Sequence, residues 1–83
     1  MEIRDLKRLH YVRAAAASGR ARQTRVAAEL TQGEIAKAVG VAQPTVAQWE
    51  NGNRTPRGAA ALRYAAVLES LERTLAAAAK DAG

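Results

Sequence analysis

Two glutamines in the segment "QPTVAQWENG", which runs from Gln43 to Gly52, have side chains suited to molecular recognition. Gln43 and Gln48 each carry an amide with a hydrogen-bond donor beside an acceptor, a pair that matches the N6 and N7 edge of adenine. The side chains between them are mostly short and neutral, whereas a helix kept only for solubility would more often carry Glu and Lys. Taken singly, each glutamine is better explained as an ordinary surface residue, so the surrounding segments decide the interpretation.

Little else in the sequence suits chemistry. Cysteine is absent, and His10, the single histidine, has only the acid Asp5 near it. No nucleophile–base set, metal-ligand cluster or phosphate-binding loop is visible. We therefore expect a protein that is not an enzyme and that holds no metal or cofactor.

The composition also bears on where the protein acts. No apolar run reaches membrane-spanning length, and the N-terminal "MEIRDLKRLH" is charged where a signal peptide would be apolar. The lack of cysteine fits a reducing compartment. We expect a soluble, cytoplasmic protein that does not bind a membrane.

The positive charge is unevenly placed along the chain. The formal net charge is +5, and residues 1–57 hold ten Lys/Arg against five Asp/Glu, whereas residues 58–83 hold three of each. Arg20, Arg22 and Arg25 recur with no acid among them, which suggests a clamp for phosphates at Arg20 or Arg22. A solvated face is the alternative.

The composition predicts an all-α protein. Ala, Arg, Leu and Glu are abundant and favour helices, and no stretch shows the two-residue period of a strand. A chain of 83 residues suits one domain, and the absence of Phe predicts a thin core. We expect five helices, over residues 3–17, 20–28, 31–39, 43–51 and 57–79.

The third and fourth helices should form a steep hairpin. Thr31 and Glu34 have the spacing of a capping box, which starts the third helix. Gly40 ends it, since glycine adopts the left-handed conformation without a steric penalty. Ala36 is small enough for a close helix contact, and Val46 fills the angle from the other side.

The last helix carries a seam of apolar residues, here called the seam, at alternating spacings of three and four. It consists of Tyr64, Leu68, Leu71 and Leu75. The seam could pack against the first helix within one chain or pair with a second copy. We favour the second alternative, because a thin core cannot cover so much leucine.

The segment "LTQGEIAKAVGVAQPTVAQWENGNRTP" resembles the helix-turn-helix of the Cro and CI-type phage repressors, the XRE-like family. The resemblance covers about residues 20–68. It implies a compact five-helix, lambda-repressor-like DNA-binding domain, here with an extra N-terminal helix and a long C-terminal helix. The implied division is an N-terminal extension at 1–18, a helix-turn-helix core at 19–68 and a C-terminal extension at 69–83.

The resemblance also implies roles for individual residues. Base edges would be contacted by Gln43, Pro44, Thr45 and Gln48. Phosphates would be contacted by Gln32, which would also brace Gln43, and by Asn51, Asn53, Arg54 and Arg57. Arg25 and Glu50 would form a buried ion pair, although Arg25 could instead be a free charge that faces a phosphate.

Two positions depart from the family pattern. Ala42 stands where Ser or Thr usually caps the recognition helix, a loss of about 1 kcal/mol. Glu29 stands where Gly commonly closes the preceding helix.

Two functional hypotheses follow. The first is a sequence-specific regulator of transcription, a repressor that binds double-stranded DNA at a palindromic operator as a homodimer through the recognition helix 43–51. The alternative is an antitoxin that binds a toxin protein and represses its own operon, with the first helix or the seam as the toxin-binding surface.

Overall fold

The structure is a computed structural model that describes residues 1–82, and Gly83 lies outside the described residues. Within residues 1–82 the chain forms five α-helices, and the predicted all-α, five-helix fold is confirmed. They are α1 (Ile3–Ser18), α2 (Arg20–Ala27), α3 (Gln32–Val39), α4 (Gln43–Glu50) and α5 (Gly58–Ala82). Across these residues, no helix combines the length and apolarity needed to span a bilayer.

A single residue separates the first two helices. Gly19 ends α1 and precedes α2 with φ 85, a left-handed conformation that glycine adopts without strain. The break lets Ala15 of α1 and Ala21 of α2 both enter the core, where they are 2% and 1% exposed. The gap expected between the first helix, over residues 3–17, and the second, over residues 20–28, is therefore a change of helix direction at Gly19.

All five helices contribute to one hydrophobic core. Its members are aliphatic apart from an aromatic pair: Trp49 of α4 stacks on Tyr64 of α5 with ring centroids 4.6 Å apart. The core consists of Leu9, Val12, Ala15, Ala21, Ile35, Ala36, Val39, Val46, Trp49, Ala61, Tyr64, Ala65 and Leu68. Because Leu9 and Val12 of α1 belong to this core, the segment expected as an N-terminal extension packs with the helix-turn-helix.

The prediction that the whole seam pairs with a second copy was wrong for half of its residues. Tyr64 and Leu68 are 0% and 1% exposed within the single chain. Since α5 packs most extensively against α1, the extra helix supplies the cover that the thin core was expected to lack. Leu71 and Leu75, further along α5, are only half-buried.

Polar contacts also join α5 to the first two helices. The Tyr11 hydroxyl donates to Glu72 Oε1 at 2.6 Å, and Arg20 Nη2 lies 2.9 Å from Glu72 Oε2. Burial, and then the bond to Glu72, raises the pKa of Tyr11. The Arg20 guanidinium also lies 5.9 Å from the centre of the Tyr11 ring. In the free protein Arg20 is therefore engaged with α1 and α5, and the phosphate contact expected for it stays a prediction.

Candidate nucleic-acid interface

A capping box fixes the start of α3. The Glu34 backbone N–H donates to Thr31 Oγ1 at 3.0 Å, and the Thr31 N–H donates to Glu34 Oε1 at 2.9 Å. The bond from the Thr31 backbone, and then the one with its side chain, lowers the pKa of the Glu34 carboxyl. These bonds satisfy two N–H groups at the helix start that would otherwise lack partners, and so set where Gln32 lies.

The bend after α3 uses glycine geometry and a distant arginine. Gly40 has φ 84 and ψ 34, and the N–H groups of Gly40 and Val41 both donate to the Ala36 carbonyl, at 2.8 and 3.0 Å. Arg63 of α5 donates its Nε to the Val39 carbonyl at 2.6 Å. No local pattern in the sequence pointed to Arg63, because its partner lies 24 positions away.

The fourth helix turns one face into the core and the other to solvent. Val46 and Trp49 are 0% and 4% exposed. Pro44 lies in the first turn, where a missing N–H breaks no helical hydrogen bond, and no side chain caps this helix at Ala42. Of the four residues predicted to contact bases, Gln43 and Pro44 are exposed, and Thr45 and Gln48 are half-buried.

A chain of hydrogen bonds links the glutamines to a buried carboxylate. Gln43 Nε2 donates to Gln32 Oε1 at 2.7 Å, and Gln32 Nε2 donates to Glu50 Oε1 at 3.0 Å. The Gln32–Gln43 contact is the brace that the resemblance implied. Gln48 has a different partner, because its Oε1 accepts a long bond of 3.4 Å from Arg54 Nη1.

Arg25 and Glu50 form a bidentate ion pair between α2 and α4. Arg25 Nε lies 2.7 Å from Glu50 Oε2, and Arg25 Nη2 lies 3.0 Å from Glu50 Oε1. Arg25 Nη1 also donates to the Leu30 carbonyl at 2.9 Å. The two side chains are only 13% and 3% exposed, and the hydrogen bond with Glu50 raises the pKa of Arg25. Arg25 is thus not a free charge facing solvent.

Two open clefts flank the exposed face of α4. On one side, a cleft of about 600 Å³ is lined by Val41, Thr45, Trp49, Asn53, Arg54, Thr55, Arg57 and Ala60. On the other, a cleft of about 250 Å³ is lined by Arg22, Gln32, Ala47, Glu50 and Asn51. We call them the Arg54 cleft and the Arg22 cleft. Each contains at least one of the arginines predicted to contact phosphates.

The loop after α4 is ordered by its own side chains. Asn51 Oδ1 accepts from the Asn53 N–H at 3.0 Å, and the Asn53 and Arg54 N–H groups both donate to the Gln48 carbonyl. Gly52 makes the turn with φ 81. This loop therefore holds Asn53 and Arg54 beside the C-terminal end of α4.

The net charge around α4 is positive. Glu50, the only acid on α4, is paired with Arg25. Arg22, Arg54 and Arg57 are exposed, and none of them forms an ion pair within residues 1–82. Three uncompensated guanidinium groups around a neutral helix face can attract phosphates on both sides of that face.

Comparison with known proteins identifies one family. The helix-turn-helix family model HTH_3 matches residues 22–80, which span α2 to most of α5 and include both clefts. Neither the curated proteins nor the solved structures give a significant match to the chain.

Proposed function

Because the chain belongs to the Cro/CI-type (XRE-like) helix-turn-helix family, whose domains bind DNA and are typical of non-enzymatic regulators, we propose that it is a sequence-specific repressor. It binds double-stranded DNA at a palindromic operator, as a homodimer, with α4 as its recognition helix. The observation that carries this proposal is a neutral, glutamine-bearing helix face between two clefts that contain unpaired arginines.

The base contacts come from the exposed face of α4. When this face enters the major groove, Gln43, Pro44, Thr45 and Gln48 contact base edges. A glutamine amide suits adenine, because its oxygen accepts from N6 while its N–H donates to N7. In the free protein Gln48 shares its oxygen with Arg54 across 3.4 Å, a weak bond that a base replaces at little cost.

The phosphate contacts come from the rims of the two clefts. Arg54, Arg57 and Asn53 contact one strand from the Arg54 cleft. On the other side, Arg22, Gln32 and Asn51 contact the second strand from the Arg22 cleft. These contacts supply affinity and its salt dependence, while the amides of α4 supply sequence preference.

Homodimerisation uses the end of α5 that the core leaves uncovered. Leu71 and Leu75 are half-buried in the single chain, so a second copy could bury them further. A symmetric dimer would place its two recognition helices in successive major grooves, about one turn of DNA apart. Leu75→Ser should weaken the dimer in sedimentation equilibrium while the monomer stays folded, since Leu75 lies outside the core cluster.

The test is selection from a library of random duplexes, followed by titration of the winning duplex at several salt concentrations. We expect one enriched palindromic sequence and an affinity that falls steeply with salt. Repression requires a further result: a promoter that carries this sequence must lose transcription when the protein is added. No enriched sequence, or an affinity indifferent to salt, would contradict the proposal.

A toxin partner is a second candidate, and one observation favours it. Ile3 and Leu6 are large apolar residues on α1 that are 72% and 54% exposed, outside the family match. An antitoxin would bind its toxin through this surface and repress its own operon through α4. The product of the adjacent gene should then copurify with the wild type, and not with the double variant Ile3→Ser, Leu6→Ser.

A further inference from the structure

We propose that Arg13 of α1 is a further contact for the DNA backbone, and that its guanidinium binds a phosphate next to the one that Arg54 binds. The proposal rests on the function proposed above, which places the loop over residues 51–57 against one strand of the duplex. It gives α1, which lies outside the family match, a part in DNA binding.

A hydrogen bond joins Arg13 to this loop. Arg13 Nε donates to the Pro56 carbonyl at 3.0 Å, across 43 positions of the chain. Pro56 is fully buried, so the core holds the residue that accepts this bond. Within residues 1–82, neither Nη1 nor Nη2 of Arg13 forms a hydrogen bond or an ion pair, and the side chain is exposed. The bond therefore orients the guanidinium and leaves two nitrogens for the paired oxygens of a phosphate.

Arg13 and Arg54 lie beside one another. A crevice of about 50 Å³ separates α1 from the loop, and both arginines line it. On the α1 side the crevice is also lined by Ala16 and Ala17, whose small side chains let the helix approach the loop closely. A DNA strand that contacts Arg54 therefore passes Arg13 as well.

No acid offsets the charge at this place. The sequence holds no Asp or Glu over residues 6–28 or over residues 51–68, and Arg13, Arg54 and Arg57 form no ion pair within residues 1–82. Three nearby acids already have partners: Glu50 pairs with Arg25, Glu69 with Arg8 and Glu72 with Arg20. The three free guanidinium groups repel one another in the free protein, and a phosphate between them would relieve that repulsion.

The other cations of α1 are placed differently. Arg4 lies 3.3 Å from Glu2, and Arg8 lies 3.6 Å from Glu69. Lys7 is exposed and forms no ion pair within the described residues, but it lines a separate cleft with Arg4, about 9 Å along the helix axis from Arg13. Lys7 is therefore the matched control, a free cation on the same helix that lies away from the loop.

The first measurement is the affinity of the full-length protein for the selected duplex at several salt concentrations. Arg13→Gln should lower the slope of log K against log salt concentration by about one, because one fewer phosphate contact releases counterions. The selected and scrambled duplexes should be weakened alike, since a phosphate contact reads no base. Arg13→Lys keeps the charge and should keep the slope, and Lys7→Gln should also keep it.

The second measurement locates the contact on the DNA. Neutral methylphosphonate groups replace the phosphates of the selected duplex one at a time. At one position the replacement should weaken binding of the wild type and have no further effect on Arg13→Gln. This phosphate should neighbour the one that Arg54→Gln identifies in the same way.

Folding of every variant is checked by thermal melting in far-UV circular dichroism. If Arg13→Gln weakens binding and keeps the wild-type slope, Arg13 only positions the loop through Pro56, and the proposal is overturned. An equal fall of the slope in Lys7→Gln would also overturn it, since any charge on α1 would then act alike. A wild type that binds DNA in a salt-dependent manner, with no methylphosphonate position coupled to Arg13, refutes this inference alone. A wild type that binds no duplex refutes the proposed function as well.

Discussion

Removal of the Arg25 guanidinium should destabilise the protein severely. In Arg25→Met the carboxylate of Glu50, 3% exposed, would lose two of its three hydrogen bonds and keep only the one from Gln32. The Leu30 carbonyl would lose its bond from Arg25 as well. Removing one partner of a buried ion pair lowers the free energy of unfolding by about 3 to 5 kcal/mol. A chain of this size has a total stability of roughly 4 to 12 kcal/mol, so the variant should be close to unfolding.

The assay is urea and thermal unfolding followed by far-UV circular dichroism. For a domain of this length, a loss of this size lowers Tm by at least about 12 °C. Arg20→Met is the matched control, since the Arg20–Glu72 pair is similarly short at 2.9 Å but its arginine is 59% exposed. Arg20→Met should lower the free energy of unfolding by less than about 1 kcal/mol.

The double variant Arg25→Met, Glu50→Leu separates the ion pair from simple loss of packing. The double variant leaves no buried charge unpaired. Its free energy of unfolding should therefore fall by about 2 kcal/mol less than the sum of the decreases in the single variants Arg25→Met and Glu50→Leu. Equal losses for Arg25→Met and Arg20→Met, or strict additivity in the double variant, would refute the reasoning.

Three further predictions concern stability. Glu29 has φ 59, so Glu29→Gly should raise the free energy of unfolding by about 0.5 to 1 kcal/mol in urea, while the control Ala28→Gly, at φ −82, should lower it. The Tyr64 hydroxyl is buried and has no hydrogen-bond partner within residues 1–82. Tyr64→Phe should therefore keep the stack on Trp49 and raise the free energy of unfolding by about 1 kcal/mol, and a decrease of that size would contradict this. The pKa of Glu34 is lowered in the folded protein, so its ionised carboxylate stabilises the fold fully above the ordinary carboxyl pKa, and this stabilisation is lost as the pH falls through the lowered pKa. In a plot of Tm against pH, Glu34→Gln should therefore show a smaller fall of Tm at acid pH than the wild type.

Helix positions could be predicted from the sequence because their signals are local. Gly19, Gly40 and Gly52 take left-handed conformations where three helices end or turn, and the capping spacing from Thr31 to Glu34 marks the start of α3. Each of these features depends only on residues within a few positions of it.

The covering of α5 could not be predicted in the same way. A spacing of three and four shows that Tyr64 and Leu68 need an apolar partner, and it does not show which partner they have. Leu9 and Val12, more than fifty positions away, provide it. Arg20 illustrates the same limit, because its partner Glu72 lies 52 positions along the chain.

The members of the candidate site could be named from the sequence, but not their hydrogen-bond directions. The resemblance pointed to Gln32, Gln43 and the pair of Arg25 with Glu50. Which end of each amide donates depends on the contact between Gln32 and Glu50, 18 positions apart, and that contact has no counterpart in a local pattern. The structure therefore adds which atoms of the Gln32 and Gln43 amides donate and which accept.

The central claim is that the exposed face of α4 contacts base edges. The most direct test is the ratio of Kd for a scrambled duplex to Kd for the selected duplex, measured at one salt concentration for the wild type and for Gln48→Ala. We predict that Gln48→Ala lowers this ratio about 5- to 150-fold, equivalent to about 1 to 3 kcal/mol, through weaker binding of the selected duplex alone. A ratio near one in the wild type, or an unchanged ratio in the variant, would contradict the claim.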